Sequence, residues 1–75
     1  MNRKIEEVID QLLEVLGKDD QQYQHLLANK PKFIDDQKYT APEINKGWYN
    51  LQNFMNTYLA DHPKFDQLVK IFNNT

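Results

Sequence analysis

The sequence predicts an all-α fold, a small bundle of four helices with an extra helical turn over residues 31–37. In most of the chain, apolar residues recur at the i, i+3, i+4 and i+7 spacing of an amphipathic helix. Glycine and proline residues separate these segments, at Gly17, at Pro31 and within residues 61–63. The 75 residues, of which 40% are hydrophobic, suffice for one core, so residues 1–75 are predicted to form a single domain.

The first helix is predicted over residues 3–16. Its apolar positions follow the helical period, and they are Ile5, Val8, Ile9, Leu12, Val15 and Leu16. Acidic and amide side chains fill the other face, and Leu13 widens the apolar stripe. Gly17 comes directly after the last apolar residue, where a glycine in the left-handed conformation commonly ends a helix.

A second helix is predicted from Asp19 to about Asn29. Asp19 is a good N-cap, and Gln22 stands three residues later, as in a capping box. Its short apolar face consists of Tyr23, Leu26 and Leu27. Pro31 disfavours helical geometry at Lys30, so we expect the helix to end before it.

The segment from Lys30 to Tyr39 is interpreted as a turn of helix over residues 31–37 followed by a loop. An irregular packed loop is the alternative. Both interpretations direct Phe33 and Ile34 towards the core.

The third helix is predicted to begin at Thr40. Residues 40–43 read Thr-Ala-Pro-Glu, a capping box with proline in the first turn, and Tyr39 and Ile44 have the spacing of a hydrophobic staple. The apolar stripe that follows comprises Ile44, Trp48, Leu51, Phe54, Met55, Tyr58 and Leu59. Gly47 lies on this stripe, which predicts the close approach of a neighbouring helix or a bulky ring.

The fourth helix is predicted to have Asp61 as its N-cap and Pro63 in its first turn. Together the four segments predict a core, and its members are Ile5, Val8, Ile9, Leu12, Leu16, Leu26, Leu27, Phe33, Ile44, Trp48, Leu51, Met55, Leu59, Phe65, Leu68, Val69 and Phe72.

The composition narrows the classes of function. The chain has no cysteine, which excludes disulfides and a thiolate zinc site and favours a cytoplasmic protein. No apolar run approaches the ~20 residues of a membrane span. The net charge of −2, with both signs mixed along the chain, lacks the basic excess of a nonspecific nucleic-acid binder. Because the predicted core is small, a homodimer that completes it is a further expectation.

Catalytic and metal-binding patterns are weak. His25 and His62 have no ligand-like neighbours at helical spacing, and the paired aspartates are better explained as caps and loop charges. There is no serine, and the two glycines are too far apart to form a phosphate-binding loop. We therefore expect a protein that is not an enzyme and that uses no cofactor and no metal.

The candidate partner-binding surface is centred on Tyr49. This side chain is predicted to point away from the apolar stripe, beside Asn45, Asn53 and Asn56. An aromatic side chain among uncharged amides has the composition of an interface centre, although an ordinary exposed tyrosine is the alternative. Lys32 and Lys38 in the adjoining loop are predicted to extend this surface towards a protein partner, either soluble or membrane-bound.

A small nucleic-acid-binding regulator is the alternative function. Four lysines lie near aromatic residues, and they are Lys30, Lys32, Lys38 and Lys46. Basic residues interleaved with aromatic ones can hold single-stranded nucleic acid. Asp35, Asp36 and Glu43 interrupt this cluster, so nucleic acid is the less favoured partner.

The order of these elements resembles small cytosolic immunity proteins of Gram-positive bacteriocin systems. The shared features are a charged amphipathic first helix, short helical links, a long central helix and a polar tail, here Asn73, Asn74 and Thr75. The resemblance spans the chain as architecture and has no diagnostic motif, so no site residue is carried over. It implies a helical bundle that binds another protein in a bacterium. Separately, the abundance of asparagine, lysine and glutamine suits a low-GC bacterium or its phage.

Overall fold

The computed structural model of the protein describes residues 3–74. Met1, Asn2 and Thr75, which belong to the predicted single domain, lie outside the described residues. The described chain forms four helices and no strand, and the helices are α1 (Ile5–Leu16), α2 (Gln21–Lys38), α3 (Lys46–Tyr58) and α4 (Phe65–Asn73). The predicted all-α bundle of four helices is therefore confirmed. Within residues 3–74, no helix combines the length and hydrophobicity needed to cross a membrane.

Consecutive helices run antiparallel. Between α1 and α2, Lys30 Nζ lies 2.6 Å from Asp10 Oδ1, midway along both helices. Between α2 and α3, Gly47 meets the backbone of Phe33 at one end, and His25 meets Tyr58 at the other. The first helix packs on α2 and on α4, and α2 also packs on α3. The result is an up-and-down bundle. In it, α1 and α2 each pack on two other helices, whereas α3 packs mainly on α2 and α4 mainly on α1.

The ends of α1 and α4 are tied together by two basic side chains. The Arg3 guanidinium donates to the carbonyl oxygens of Ile71 (2.6 Å), Phe72 (3.3 Å) and Asn74 at the end of α4. At the opposite end, Lys64 Nζ donates to the Val15 carbonyl oxygen over 3.0 Å. Carbonyl groups at a helix C-terminus have no partner within the helix, and cations stabilise them.

The predicted end of the second helix at Asn29 is wrong, because α2 continues through Pro31 to Lys38. Pro31 is exposed and removes one N–H from the helical ladder, so the carbonyl of Leu27 loses its usual partner. Leu26 and Phe33, on either side of the proline, are both buried. Burial of apolar side chains from both halves favours one continuous helix over a break at the proline.

The N-cap of α2 is Asp20 and not Asp19. The helix begins at Gln21, and Asp20 Oδ1 accepts a hydrogen bond of 2.9 Å from the Gln22 backbone N–H. Asp19 and Asp20 offer the same capping chemistry at adjacent positions. Asp20 additionally contacts the His62 ring, whereas Asp19 is exposed.

The predicted capping box at residues 40–43 is also wrong, because α3 begins at Lys46. The Thr40 hydroxyl donates to the Asp36 carbonyl oxygen over 2.8 Å, so Thr40 caps the end of α2 instead. Asn45 precedes α3 in the left-handed conformation, with φ 53°. Because residues 40–45 form turns, Ile44 is 53% exposed and is not part of the core.

The start of α4 lies later than predicted, since the helix begins at Phe65 and is preceded by Lys64. Asp61 is exposed and Pro63 lies in a turn, so neither has the predicted position in the helix. The His62 ring occupies this link and binds the Lys64 backbone N–H through Nδ1 over 3.0 Å.

The core lies between the four helices, and its buried members are Ile5, Val8, Ile9, Leu12, Leu13, Leu16, Leu26, Phe33, Leu51, Phe54, Met55, Leu59 and Leu68. Leu27 is 39% exposed, which corrects its assignment to the core. Four other predicted core residues are only half-buried at its margin, and they are Trp48, Phe65, Val69 and Phe72. In a bundle this small, few side chains are covered by neighbours on all sides.

Gly47 is the point of closest approach between α2 and α3. A Cβ atom at this position would lie 2.5 Å from the Phe33 carbonyl oxygen and 2.6 Å from Gln37 Cβ. The Gly47 N–H also donates to Gln37 Oε1 over 3.1 Å. The prediction that a neighbouring helix approaches closely here is confirmed.

Candidate partner-binding surface

A groove opens at the end of the bundle where α3 begins and α4 ends. Its floor is formed by Trp48 and Phe72, whose rings meet edge to face with centroids 5.8 Å apart. Its other lining residues are Arg3, Asn45, Tyr49, Gln52 and Asn73. The groove encloses about 370 Å³, which is within the range of ligand sites in proteins. We call it the Trp48 groove.

Adjacent positions on α3 place Trp48 and Tyr49 differently. Successive residues of a helix are rotated by about 100°, so the two side chains leave α3 in different directions. Trp48 is half-buried against the core, whereas Tyr49 is 60% exposed at the rim. The Tyr49 N–H donates to the Asn45 carbonyl oxygen over 3.0 Å, which closes the first turn of α3 and brings Asn45 to the same rim.

Arg3 forms part of the wall of the Trp48 groove, on the side where α1 begins. Its guanidinium binds three carbonyl groups at the end of α4, so its charge has a defined position. Arg3 is the one charged residue among those that line this groove. A positive charge beside an apolar floor with amide groups on the rim suits a partner with apolar and acidic side chains.

A second groove adjoins the first and shares Arg3 and Trp48 with it. Its remaining lining residues are Lys4, Ile5, Glu6, Ile34, Gln37 and Lys38, and it encloses about 560 Å³. We call it the Lys38 groove. Because both grooves are lined by Arg3 and Trp48, they are neighbours at this end of the bundle.

The structure brings together some of the predicted surface residues and separates others. Tyr49 and Asn45 line the Trp48 groove, and Lys38 lines the Lys38 groove. Asn53 and Asn56 are exposed on α3 but line neither groove. Lys32 is exposed on α2, and residues 31–37 belong to this continuous helix, which corrects the separate turn followed by a loop that was predicted there.

Sequence reasoning missed the residues that give the surface its shape. Trp48 and Phe72 were assigned to the core alone, and Arg3, Gln52 and Asn73 carried no local pattern. Arg3 and Phe72 are separated by 69 positions in the chain but are joined by a hydrogen bond. Such a meeting depends on the order of the helices, which no short motif encodes.

Two of the four lysines of the alternative nucleic-acid cluster lie beside carboxylates. Lys30 binds Asp10, and that hydrogen bond raises the pKa of the Lys30 ammonium above its ordinary value. Lys46 Nζ lies 3.9 Å from the carboxylate of Asp36. Their charge is therefore partly neutralised within the protein.

The two histidines have different surroundings. His25 packs edge to face against Phe54 and Tyr58, with centroid distances of 4.7 and 4.3 Å. His62 Nε2 lies 2.5 Å from Asp20 Oδ2 and ties the α3–α4 link to the start of α2. In the part of the chain that the structure describes, no three histidine or acidic side chains converge to hold a metal ion.

The Asp20–His62 contact predicts a defined dependence of stability on pH. The hydrogen bond from His62, and after it the Gln22 N–H, hold the pKa of the Asp20 carboxyl below its ordinary value of 3.8. A carboxyl with a lowered pKa in the folded state stabilises the protein above pH ~4, and this contribution is lost as the pH falls further. The free energy of unfolding is therefore expected to decrease on acidification, in part through Asp20.

Two variants separate the charge of Asp20 from its role as a cap. Asp20→Asn keeps a capping oxygen and is expected to lose about 1 kcal/mol or less at pH 7, with a difference from wild type that becomes smaller at pH 3, below the ordinary carboxyl pKa of 3.8. Asp20→Ala is expected to lose about 1 kcal/mol more, because it also removes the cap. Urea unfolding at pH 3 and pH 7 measures both differences. Equal losses for Asp20→Asn at the two pH values would contradict the assignment to the carboxylate.

No known protein family matches the chain, and neither does any curated protein or solved structure. The geometry of the two grooves therefore provides the basis for a functional proposal.

Proposed function

We propose that this protein is a noncatalytic binding module of the immunity, inhibitor or regulatory-subunit kind, which binds another protein through the Trp48 groove. The observation that carries the proposal is the pairing of Tyr49, 60% exposed at the rim, with the half-buried Trp48 and Phe72 on the floor. Tryptophan, tyrosine and arginine are the residues in which the binding energy of protein interfaces is concentrated.

The architecture adds support for the immunity class. The bundle resembles the bacteriocin immunity proteins in its charged first helix and short links, and it places an aromatic groove at one end. In this proposal the protein acts in the cytoplasm, and its target is a soluble or membrane-bound protein. A homodimer through the same groove is the second arrangement, and sedimentation equilibrium at rising protein concentration distinguishes it from a monomer.

The nucleic-acid alternative has less support. Lys30 and Lys46 lie beside the carboxylates of Asp10 and Asp36, so the positive potential of two of the four lysines is partly offset within the protein. A nucleic-acid binder usually presents a continuous basic surface to the phosphates.

Affinity purification from the source organism tests the proposal. The tagged protein is expected to retain a specific protein after nuclease treatment, identified by mass spectrometry against an untagged control. Retention of nucleic acid, or of proteins that nuclease releases, would instead support the regulator that binds DNA or RNA.

Replacement of Tyr49 by alanine is expected to weaken binding of the retained partner at least tenfold, since truncation of an interface tyrosine costs about 2 kcal/mol. The melting temperature should change little, because the Tyr49 side chain is exposed. Isothermal titration calorimetry measures the affinity, and circular dichroism measures the melting temperature.

Two control variants sharpen this test. Tyr39→Ala removes a tyrosine that is also exposed but lines neither groove, and it touches the surface only through its contact with Lys38, so it should weaken binding far less than Tyr49→Ala does. Asn56→Ala distinguishes the groove from the stripe of α3 that the sequence predicted. If Asn56→Ala weakens binding as much as Tyr49→Ala does, the partner lies along α3 and not in the Trp48 groove.

A further inference from the structure

The two grooves beside Trp48 carry a local positive charge in an acidic protein. Their lining includes three cations, Arg3, Lys4 and Lys38, and one carboxylate, Glu6. The whole chain has a net charge of −2. A cationic surface on a protein of opposite net charge is a local feature, and it favours contact with negatively charged groups.

The opposite end of the bundle carries charges of both signs, since Lys18 and Lys64 lie there near three aspartates. A shallow groove there is lined by Asp19, Asp20 and Asp61, together with the His62 ring. The surface around Trp48 is therefore distinguished by its charge as well as by its aromatic floor. An acidic partner is therefore attracted more strongly to the surface around Trp48 than to the opposite end.

The floor of the cationic surface is apolar. Trp48 and Phe72 form it in one groove, and Ile5 and Ile34 contribute to it in the other. Trp48 and Phe72 are half-buried and pack edge to face, so neither ring is presented as an open platform for stacked bases. Three cations are also few for a surface that binds the phosphates of a nucleic acid. These features favour a protein segment over a nucleic acid.

We propose that an acidic segment of a protein partner lies across Trp48. A bulky apolar side chain of this segment occupies the Trp48 groove, and its carboxylates face Lys4 and Lys38 in the Lys38 groove. Arg3 lies between the two and contributes positive charge from a position that its bonds to α4 define. This inference rests on the proposed function and adds the chemistry of the partner to it.

The two lysines of the Lys38 groove are not part of the core, so they can be replaced to test this inference. Lys4 and Lys38 are both exposed, and Lys38 Nζ lies 5.3 Å from the centroid of the Tyr39 ring. Reversal of both charges is therefore expected to preserve the fold. The double variant Lys18→Glu and Lys32→Glu is the matched control, since it changes the net charge equally at exposed positions outside both grooves.

Selection from a random peptide library displayed on phage identifies the preferred ligand chemistry. Peptides enriched on the wild-type protein are expected to combine aspartate or glutamate with phenylalanine, leucine or another bulky apolar residue. Synthetic versions without tryptophan are then titrated while the fluorescence of Trp48, the chain's single tryptophan, is recorded. Affinity should fall about tenfold or more in the Lys4→Glu and Lys38→Glu double variant, remain unchanged in the control, and decrease with added salt.

Three results would overturn the inference: enrichment of basic or uncharged peptides, equal binding to the charge-reversed variant, or no enrichment at all. A single-stranded oligonucleotide that binds the wild type in place of the acidic peptides would also overturn it. The proposed function fails separately, if purification from the source organism retains no protein. When a retained protein binds the charge-reversed variant as tightly as the wild type, the function stands and the acidic-segment inference alone is wrong.

Discussion

Replacing Gly47 with alanine is expected to lower the free energy of unfolding by about 2 kcal/mol, because it forces α2 and α3 apart. The new Cβ would lie 2.5 Å from the Phe33 carbonyl oxygen, a backbone atom that cannot rotate away. It would also crowd Gln37 and weaken the hydrogen bond that Gln37 Oε1 accepts from the Gly47 N–H. Alanine favours a helix over glycine by up to ~1 kcal/mol, which offsets only part of this loss.

Urea unfolding followed by circular dichroism measures this change. Thr57→Ala is the matched control, since Thr57 is exposed on the same helix and gains the helix propensity of alanine without a steric conflict. The control is expected to be as stable as the wild type or slightly more stable. Were Gly47→Ala to behave as Thr57→Ala does, the close approach of α2 to α3 would be refuted.

Replacement of Pro31 by alanine is expected to stabilise the protein by about 2 kcal/mol. A proline inside a helix costs ~3 kcal/mol relative to alanine, because it removes an N–H and its ring conflicts with the preceding turn. Alanine restores the donor for the Leu27 carbonyl, and Pro31 is exposed, so no core contact is lost. The stiffness that proline gives to the unfolded chain is worth about 0.4–1 kcal/mol and reduces the gain.

Pro42→Ala provides the control for this second variant. Pro42 is exposed in the turns between α2 and α3, where no helical hydrogen bond is missing, so its replacement should be neutral or slightly destabilising. A loss of stability in Pro31→Ala would contradict the prediction. It would mean that Leu26 and Phe33 need the proline geometry to reach the core together.

Local sequence patterns were reliable where packing and helix signals agreed. The first helix ends at Leu16 as its apolar period and Gly17 predict, and the Gly17 N–H donates to the Leu13 carbonyl oxygen over 2.9 Å. The apolar stripe of α3 and the tight contact at Gly47 were also predictable. Both signals have the same cause. One side of the helix is buried, which requires apolar residues at the helical period and a small residue where a neighbouring helix comes close.

Local signals failed where tertiary packing opposed them. Pro31 and the capping box at residues 40–43 are each worth only one or a few kcal/mol, and burial of Leu26 and Phe33 competes at the same scale. The second helix therefore continues through Pro31 to Lys38, and Thr40 caps its end. Because the Thr40 hydroxyl binds the Asp36 carbonyl, it does not cap the third helix, which begins at Lys46 and leaves Ile44 exposed.

By itself, the sequence determined that the protein is an all-α bundle of four helices, because the period of apolar residues is a local property. It also identified Tyr49 and Asn45 as surface residues of the third helix. Their position in the Trp48 groove, next to Trp48 and Phe72 on its floor and Arg3 in its wall, depends on how the helices pack together. These residues come from the two ends and the middle of the chain, and they meet because α2 packs on α1 and α3, while α4 returns to pack on α1.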